Sequence, residues 1–275
     1  MSLEPDMKQT QVSLIQMDIE FGKKEENLKK VNSLIEKAFS QVSPEIPHIV
    51  CLPELFSTGY DLDNVHLHAE SIPEGETTTF LAQMAKDFSS VLVASYIENK
   101  EDKYFNTAVV IDENGVFLGK YRKIHLFPPM NEPTVFSIGG FTHSSVSFKI
   151  NSGNLGLLIC YDLRFPELSR RVALEGNTEF LIYLAEFPYP KYEVWKTLLQ
   201  ARAIENQLFV CGVNRVGSDP NSKFFGHSLI YDPGGNNLIE GTEKEEVLTG
   251  NLDPSVLLEV RSSLPSLQHR QTNYY

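Results

Sequence analysis

Short apolar runs and longer amphipathic stretches alternate along most of the chain. Nine runs of four to six residues are rich in Val, Ile, Leu and Phe and are bounded by turn residues, a pattern typical of β-strands. They lie at residues 12–17, 49–52, 91–95, 108–111, 146–150, 155–160, 180–184, 209–213 and 228–231. Three intervals carry the Asp, Asn, Pro and Gly combinations that close hairpins, at residues 112–115, 151–154 and 233–236. Some neighbouring strands are therefore predicted to pair antiparallel.

The longer stretches place their apolar residues on one face of a helix. In residues 24–39, Leu28, Val31 and Ile35 recur at helical spacing, and Lys and Glu fill the opposite face. The same spacing predicts helices at residues 78–88, 166–175 and 192–206. Because such helices separate several of the strands, the pattern predicts a mixed sheet covered by helices.

The composition is that of a globular protein of 275 residues, of which 41% are hydrophobic. Lys and Arg number 24 against 36 Asp and Glu, so the net charge is −12. This balance argues against nucleic acid as a partner, because phosphate neutralisation needs a surplus of cations on one face. No repeat or linker interrupts the middle of the chain, which predicts a single domain over residues 1–275 with arms at 1–9 and 253–275.

Three cysteines in a chain of this length are typical of reduced thiols rather than of a disulfide framework. The acidic start of the chain lacks the basic and apolar regions of a secretory signal. No apolar run approaches the roughly 20 residues that span a bilayer, so we expect no membrane partner. These observations predict a cytoplasmic protein.

Several well-known site motifs do not occur in the sequence. There is no glycine-rich dinucleotide or P-loop motif, no G-x-S-x-G elbow and no H-E-x-x-H pair. The seven histidines do not cluster at the spacing of metal ligands, and His66 and His68, in an acidic loop without a nearby cysteine, are expected to be solvated. We therefore predict neither a metal site nor a cofactor.

Three reactive side chains follow the ends of predicted strands, where open α/β sheets place their ligand crevices. Glu54 comes after the strand at 49–52, Lys123 lies among aromatic and apolar residues at 121–127, and Cys160 ends a nearly all-apolar strand just before a helix. A sharp strand-to-helix turn presents the side chain at its apex and directs backbone N–H groups toward the same point.

Each of these residues also has a structural interpretation. Glu54 could cap a strand end, Lys123 could be a surface lysine, and Cys160 could be a small core thiol, as we expect for Cys51 and Cys211 inside their strands. A free thiol is mostly protonated at neutral pH, so a nucleophilic cysteine needs a base or a cation beside it. Glu54 and Lys123 could supply these, although spacing alone does not bring the three residues together.

An ordered set of motifs carries a resemblance over nearly the whole chain. The segments are CLPELFSTGY at 51–60, YRKIHLF at 121–127, GLLICYDLRFPEL at 156–168, ARAIENQLFVCGVNRVG at 201–217 and GHSLIYDPGG at 226–235. Together they resemble the nitrilase superfamily of carbon–nitrogen hydrolases. The phrases CYDLRFPEL and ARAIENQ are most similar to its ω-amidase-like branch.

The resemblance implies an α+β fold, a four-layer α-β-β-α sandwich, and a catalytic triad at Glu54, Lys123 and Cys160. A further acidic residue of the family matches Glu132, the only carboxylate between Lys123 and Cys160. Lys123 and the backbone N–H of Tyr161 are the implied oxyanion hole. The implied assembly, by analogy, is a homodimer.

The implied activity is release of ammonia from a small-molecule amide through a thioester on the cysteine. The ω-amidase-like branch acts on α-keto acid monoamides such as α-ketoglutaramate and α-ketosuccinamate. A nitrilase, an aliphatic amidase and an N-carbamoyl amino acid hydrolase would use the same triad. Two other classes remain: an inactive sandwich used for binding, and a peptidase that pairs Cys160 with His125 or His143.

The substrate-binding residues are less determined by the sequence. A carboxylated substrate needs a local cation, and Arg164 is one candidate, although it could instead form an ion pair with Asp162 or Glu167. Tyr60 and Phe187 lie just beyond strand ends. They could form the walls of a small pocket or be core aromatics.

Overall fold

Fourteen strands and seven α-helices are assigned in the computed structural model, which describes residues 6–142 and 146–274. The strands are β1 (Thr10–Gln16), β2 (His48–Cys51), β3 (Val91–Lys100), β4 (Lys103–Ile111), β5 (Phe117–Arg122), β6 (Ser147–Ile150), β7 (Gly153–Ile159), β8 (Phe180–Ala185), β9 (Phe209–Asn214), β10 (Val216–Ser218), β11 (Lys223–Phe225), β12 (Leu229–Tyr231), β13 (Asn237–Glu240) and β14 (Glu246–Leu252). The helices are α1 (Lys24–Phe39), α2 (Val65–His68), α3 (Glu76–Asp87), α4 (Glu132–Val135), α5 (Pro166–Glu175), α6 (Tyr192–Asn206) and α7 (Pro254–Ser263), and short 3₁₀ turns occur at Leu62–Asn64, Pro128–Met130 and Cys160–Arg164.

The strands form two six-stranded sheets and one small ribbon. The first sheet has the order β14-β1-β2-β3-β4-β5, and the second has the order β13-β12-β9-β8-β7-β6. Strands β1, β2 and β3 run parallel in the first sheet, as β7, β8 and β9 do in the second. The outer strands pair antiparallel. Each sheet therefore has a parallel centre whose strand ends point to one edge.

Alternation along the strands separates the core into layers. In β2, Ile49 and Cys51 belong to the apolar cluster between the two sheets, whereas Val50 packs with residues of α1 and α3 on the outer face. Helices α5 and α6 cover the outer face of the second sheet. The result is the four-layer α-β-β-α sandwich that the resemblance implies, and the predicted fold class is confirmed.

Most predicted elements occur close to their predicted bounds. Helices α1, α5 and α6 have the predicted limits, and α3 is displaced by two residues at its start. All three predicted hairpin turns join antiparallel strands, namely β4 to β5, β6 to β7 and β12 to β13. Five of the described strands were not predicted: β5, β10, β11, β13 and β14. In β5 and β14, Gly119 and Lys120 in one and Thr249 to Asn251 in the other interrupt the apolar run.

Parts of both predicted arms pack on the body of the protein. Met7 is buried, and its backbone N–H donates to Glu179. The C-terminal segment begins with α7, where Asp253 caps the helix by accepting a hydrogen bond from the Ser255 N–H. Arg261 of α7 is buried and donates to the carbonyl oxygens of Gln207 and Thr178. A buried cation that satisfies two backbone carbonyls ties this helix to the second sheet.

The expectations for His66 and His68 have different outcomes. His66 is exposed, as predicted, but His68 is half-buried, and its Nε2 lies 2.8 Å from Asp61 Oδ2. The expectation that both are solvated is therefore wrong for His68, since the turn at residues 62–68 folds it back onto Asp61.

In residues 6–142 and 146–274, no helix is both long and apolar enough to cross a bilayer.

The buried His48 ring should make the free energy of unfolding depend on pH. Its ring is buried between Ser13 and Ser90, with both ring nitrogens 2.9 Å from a serine hydroxyl, and burial lowers its pKa to about 4. The unfolded chain takes up this proton near pH 6.5, whereas the folded chain does not until about pH 4. We expect His48 to cost the fold about 2 kcal/mol between pH 7 and pH 5.

Urea unfolding at the two pH values measures this effect. The loss of stability on acidification should be smaller in His48→Gln by about that amount, and His66→Gln should behave like the wild type because His66 is exposed. An equal loss in the wild type and in His48→Gln would contradict the prediction.

Candidate active site

A strained turn presents Cys160 at the end of β7. The Cys160 φ angle is +43°, in the left-handed region that costs a non-glycine residue about 1–2 kcal/mol. Asp162 holds the turn from below, because its Oδ2 accepts from the Ile159 N–H at 3.1 Å and from the Tyr121 hydroxyl at 2.7 Å. The side chain of Cys160 is thereby fixed at the edge where the parallel strands end.

Glu54 is fully buried just past the end of β2. Its Oε1 accepts three hydrogen bonds, from Lys123 Nζ at 2.7 Å, Asn106 Nδ2 at 2.7 Å and the Tyr60 hydroxyl at 2.8 Å. Its Oε2 accepts the backbone N–H of Glu186 at 3.0 Å, which comes from the second sheet. Four donors from four segments therefore fix the position of this carboxylate.

Lys123 connects the two carboxylates of the site. Its ammonium, which is fully buried, lies 2.7 Å from Glu54 Oε1 and 2.9 Å from Glu132 Oε1. Burial lowers the pKa of Lys123, but the negative charges of Glu132 and Glu54 outweigh this effect, and the net result is a pKa above the usual range. Lys123 is thus a permanent cation between two acids.

Glu132 lies at the start of α4 and is buried as completely as Glu54. Besides Lys123, it accepts hydrogen bonds from the backbone N–H of Phe127 and from Asn106 Nδ2. Burial raises its pKa, while the charge of Lys123 opposes the increase. The structure therefore brings all four residues of the predicted catalytic set, Glu54, Lys123, Glu132 and Cys160, into one buried group.

The Cys160 thiol is protonated in the resting site. Burial raises its pKa well above the ordinary value, and the charge of Glu54 and a hydrogen bond with its side chain add to the increase, against a smaller opposing effect of Lys123. A thiolate can therefore form only when a neighbour accepts the proton, and Glu54 is the hydrogen-bonded acceptor.

The peptidase alternative has less support from this geometry. His125 Nδ1 lies 2.8 Å from Asp162 Oδ1, and the imidazole stacks on Phe165 with ring centroids 3.5 Å apart. These contacts engage the His125 ring with Asp162 and Phe165 of the turn. His143 lies outside the described residues.

A small cavity opens above Cys160. Its lining residues are Phe127, Cys160, Arg164, Phe187, Pro188 and Lys191. Tyr161, the predicted oxyanion-hole residue, follows Cys160 in the turn, and its ring packs on Phe127 with centroids 4.9 Å apart. In residues 6–142 and 146–274, no group of three or more His, Cys, Asp or Glu side chains is arranged to hold a metal ion.

Of the three predicted substrate-binding residues, two line the cavity and one does not. Phe187 and Arg164 line the cavity, and Arg164 forms no ion pair with Asp162 or Glu167, all of which the structure describes. Tyr60 does not line it. Tyr60 is buried instead, and its hydroxyl is within 2.9 Å of both Glu54 and Glu132. Its single proton can serve only one of these carboxylates at a time.

The comparisons with known proteins agree with this geometry. The sequence model of the family described as carbon-nitrogen hydrolase matches residues 11–262. The chain belongs to the carbon-nitrogen hydrolase family. The resemblance to the nitrilase superfamily is therefore confirmed, and the protein is a hydrolase of carbon–nitrogen bonds in amides.

Relatives of this hydrolase match along most of its length. The 2-oxoglutaramate amidase of Bacillus subtilis strain 168 is 38% identical over 266 residues, which are 96% of this chain and 98% of that one. The omega-amidase NIT3 of Saccharomyces cerevisiae is 31% identical over 280 residues, covering 96% and 94%. The crystal structure of XC1258 from Xanthomonas campestris, a CN-hydrolase superfamily protein with an arsenic adduct in its active site, has a TM-score of 0.87 at 28% identity, covering 96% and 98%.

A second buried ion pair lies behind Glu54 in this hydrolase. Arg215 Nη1 lies 2.6 Å from Glu186 Oε2, and both side chains are fully buried. Burial raises the pKa of Glu186 to about 8 in spite of the Arg215 charge. The pair fixes the backbone of Glu186, whose N–H donates to Glu54.

Asn106, Glu186 and Lys191 of the hydrolase were not predicted from its sequence. Glu186 follows β8 immediately, and Glu54 comes shortly after the end of β2, so the same strand-end signal could have found Glu186. Asn106 is an amide beside Thr107 in the mostly apolar buried part of β4, which is a weaker signal for a buried polar contact. Lys191, at the start of α6, resembles any other lysine at a helix end.

Removal of the buried Lys123 ammonium should destabilise the hydrolase. Lys123→Met would leave two buried carboxylates without a counter-charge, and we expect it to destabilise the fold by about 3–5 kcal/mol at pH 7. The loss should be smaller at pH 5, because buried carboxyls that take up protons no longer carry charge. Urea unfolding at both pH values measures this, and ammonia release should be abolished.

Lys120→Met is the matched control on β5, the strand that Lys123 follows. Lys120 is partly exposed, and its partner Glu98 keeps Arg122 as a second cation at 2.7 Å. We expect a loss of at most about 1 kcal/mol. Equal losses in the two variants, or a loss in Lys123→Met that grows toward pH 5, would contradict the interpretation.

Proposed function

We propose that this hydrolase is an ω-amidase that releases ammonia from small carboxylated amides. Its proposed substrates are α-keto acid monoamides, with α-ketoglutaramate and α-ketosuccinamate as the leading examples. The observation that carries the chemistry is the contact of a protonated thiol, Cys160, with a buried carboxylate, Glu54, which is itself bound to a buried ammonium. The substrate class is supported by the relatives named 2-oxoglutaramate amidase and omega-amidase.

The first half of the proposed reaction forms a thioester. Glu54 accepts the thiol proton as Cys160 Sγ attacks the amide carbon, and the carbonyl oxygen becomes an oxyanion. The Lys123 ammonium and the backbone N–H of Tyr161 stabilise this charge, by about 3 kcal/mol for each well-placed donor. Protonated Glu54 then passes the proton to the leaving nitrogen, and ammonia departs.

The second half returns the site to its starting state. Water enters, Glu54 accepts one of its protons, and the oxygen attacks the thioester carbon. The C–S bond breaks, the carboxylic acid leaves, and Cys160 regains its proton. The sum is one amide and one water converted into one acid and one ammonia.

Glu132 acts on the reaction through Lys123. Lys123 sits between two carboxylates at nearly equal distances, 2.7 and 2.9 Å, so its ammonium is held in one position. A fixed donor needs no reorganisation when the oxyanion forms. Asn106 and Tyr60, which each contact both carboxylates, add to this rigidity.

Arg164 is the proposed anchor for the substrate carboxylate. It follows the nucleophile by four residues, lines the cavity above it and is half-buried. An arginine fork matches the two oxygens of a carboxylate, and a desolvated pair of this kind is stronger than a neutral hydrogen bond.

We also propose that the protein acts as a single domain, as a homodimer, in the cytoplasm. Its three cysteines are free and buried, as reduced thiols in a cytosolic core would be. Helix α6 exposes Val194 and Ile204, apolar side chains that a second copy could cover. Light scattering of the purified protein tests the dimer.

Ammonia release from a panel of substrates tests the proposed activity. The panel contains α-ketoglutaramate, α-ketosuccinamate, glutamine, asparagine, a simple nitrile and an N-carbamoyl amino acid. We expect turnover of the two keto amides, and a loss of at least about 1,000-fold in Cys160→Ala and in Glu54→Gln, because each removes a group that the bond-making step requires. Nitrile turnover without amide turnover would instead indicate a nitrilase.

Two control variants distinguish the triad from a cysteine–histidine peptidase and from a general effect of losing a thiol. Cys51→Ala removes a fully buried core thiol and should keep its activity. His125→Gln should keep activity within about tenfold, since it alters a hydrogen bond to Asp162 and the stacking on Phe165 but removes no group of the triad. Collapse of activity in His125→Gln together with survival in Lys123→Ala would favour the peptidase. A folded wild type that is inert while Cys160 alkylates readily would refute the substrate assignment.

A further inference from the structure

Two cations line the cavity above Cys160, in a protein of net charge −12. Arg164 comes from the turn that carries the nucleophile, and Lys191 immediately precedes α6. None of the six lining residues is acidic. The local charge at the mouth of the site is therefore opposite in sign to the charge of the whole protein.

Lys191 is free of the ion pairs that neutralise many other cations of the chain. Among residues 6–142 and 146–274, no side-chain hydrogen bond or ion pair occupies its ammonium. Its Nζ lies 5.6 Å from the centroid of the Phe127 ring, within range of a weak cation–π contact. Lys196, further along α6, differs in that Glu240 lies 2.9 Å from its ammonium.

Lys191 and Phe127 reach the cavity from different sheets. Lys191 follows β8 of the second sheet, whereas Phe127 follows β5 of the first sheet. Arg164 lies over the other aromatic wall, with its guanidinium carbon 5.9 Å from the centroid of Phe187. The two cations thus stand over two different walls, and an anion that enters between them meets both.

We propose that Lys191 is a specificity-determining residue, the second cation of a carboxylate subsite that it forms with Arg164. The inference rests on the proposed function for the identity of the substrate, and it extends that function by assigning a residue that selects anionic amides over neutral ones. Arg164 takes the carboxylate as a fork, and Lys191 closes on it from the solvent side as a point charge.

The dimensions of the cavity limit the distance between the carboxylate and the amide. The cavity is roughly 10 Å³, about the room of one water molecule, so a substrate enters only as its walls move. Cys160 and Phe187 are almost fully buried, whereas Arg164 and Lys191 are half-buried. A carboxylate held by these two side chains lies only a few bonds from the carbon that Cys160 attacks, which favours short substrates.

Alkylation of Cys160 measures this charge without assuming any substrate. Iodoacetate carries a carboxylate and iodoacetamide does not, and in both reactions Sγ displaces iodide from carbon while the thiol proton leaves to a base. The ratio of the two rate constants cancels any change in thiol reactivity. Cys160→Ala supplies the background from Cys51 and Cys211, which are fully buried.

We expect Lys191→Met to lower the iodoacetate-to-iodoacetamide ratio about tenfold, since one charge-assisted contact to the reagent carboxylate is lost. Lys191→Arg should restore most of the ratio. Lys196→Met is the matched control on the same helix and should keep the wild-type ratio, because its cation lies outside the cavity. Lys191 makes no side-chain cap on α6, so its replacement removes no capping bond.

Steady-state kinetics supply a second measurement. With a carboxylated amide that the wild type hydrolyses, Lys191→Met should raise KM about tenfold and change kcat less than about threefold, as expected for a group that binds the substrate away from the reacting atoms. A structural defect would lower kcat and the melting temperature together.

The two proposals fail separately. A ratio in Lys191→Met within twofold of the wild type would overturn the role of Lys191, even if the keto amides are good substrates. A lowered ratio in Lys191→Met combined with no wild-type turnover of keto amides would overturn the proposed substrates and support the carboxylate subsite.

Discussion

One buried ammonium, that of Lys123, determines how the rest of the site must be built. An isolated charge in the interior costs several kcal/mol, so it persists only where opposite charges and hydrogen bonds surround it. Glu54 and Glu132 supply those charges at 2.7 and 2.9 Å. These residues come from the ends of β5 and β2 and from the start of α4, so the cation and the arrangement of its segments stabilise each other.

The sandwich provides this arrangement because the ends of strands from its two sheets meet at the site. Glu54 and Lys123 follow strands of the first sheet, and Cys160 follows β7 of the second. The backbone N–H of Glu186, also from the second sheet, donates to Glu54 across the junction. A slip of one residue in the register of β2 would move its inward-facing side chains to the outer face of the sheet and would shift the segment that carries Glu54. The alternation of core residues in β2 therefore also fixes the geometry of the site.

Sequence reasoning found the elements with strong periodicity and missed those without it. The predicted helices and hairpins are present because their apolar faces and turn residues act locally. Strand β5 was missed, since its sequence is only partly apolar and it is stabilised by pairing with β4. For the site, the motifs named Glu54, Lys123, Cys160 and Glu132, but contacts between the two sheets are not encoded in any local pattern. Tyr60 and Asn106 acquire their roles only in three dimensions.

The charge of the whole chain says little about the charge of its substrate. Exposed charges more than about 8–10 Å apart are largely screened at physiological ionic strength, so the acidic surface acts weakly at the mouth of the site. Arg164 and Lys191, in contrast, line the cavity itself. The protonated Cys160 thiol adds no negative charge of its own, in contrast to a thiolate, which would repel an anionic amide. A thiol that stays neutral until it loses its proton is therefore compatible with a carboxylated substrate in an acidic protein.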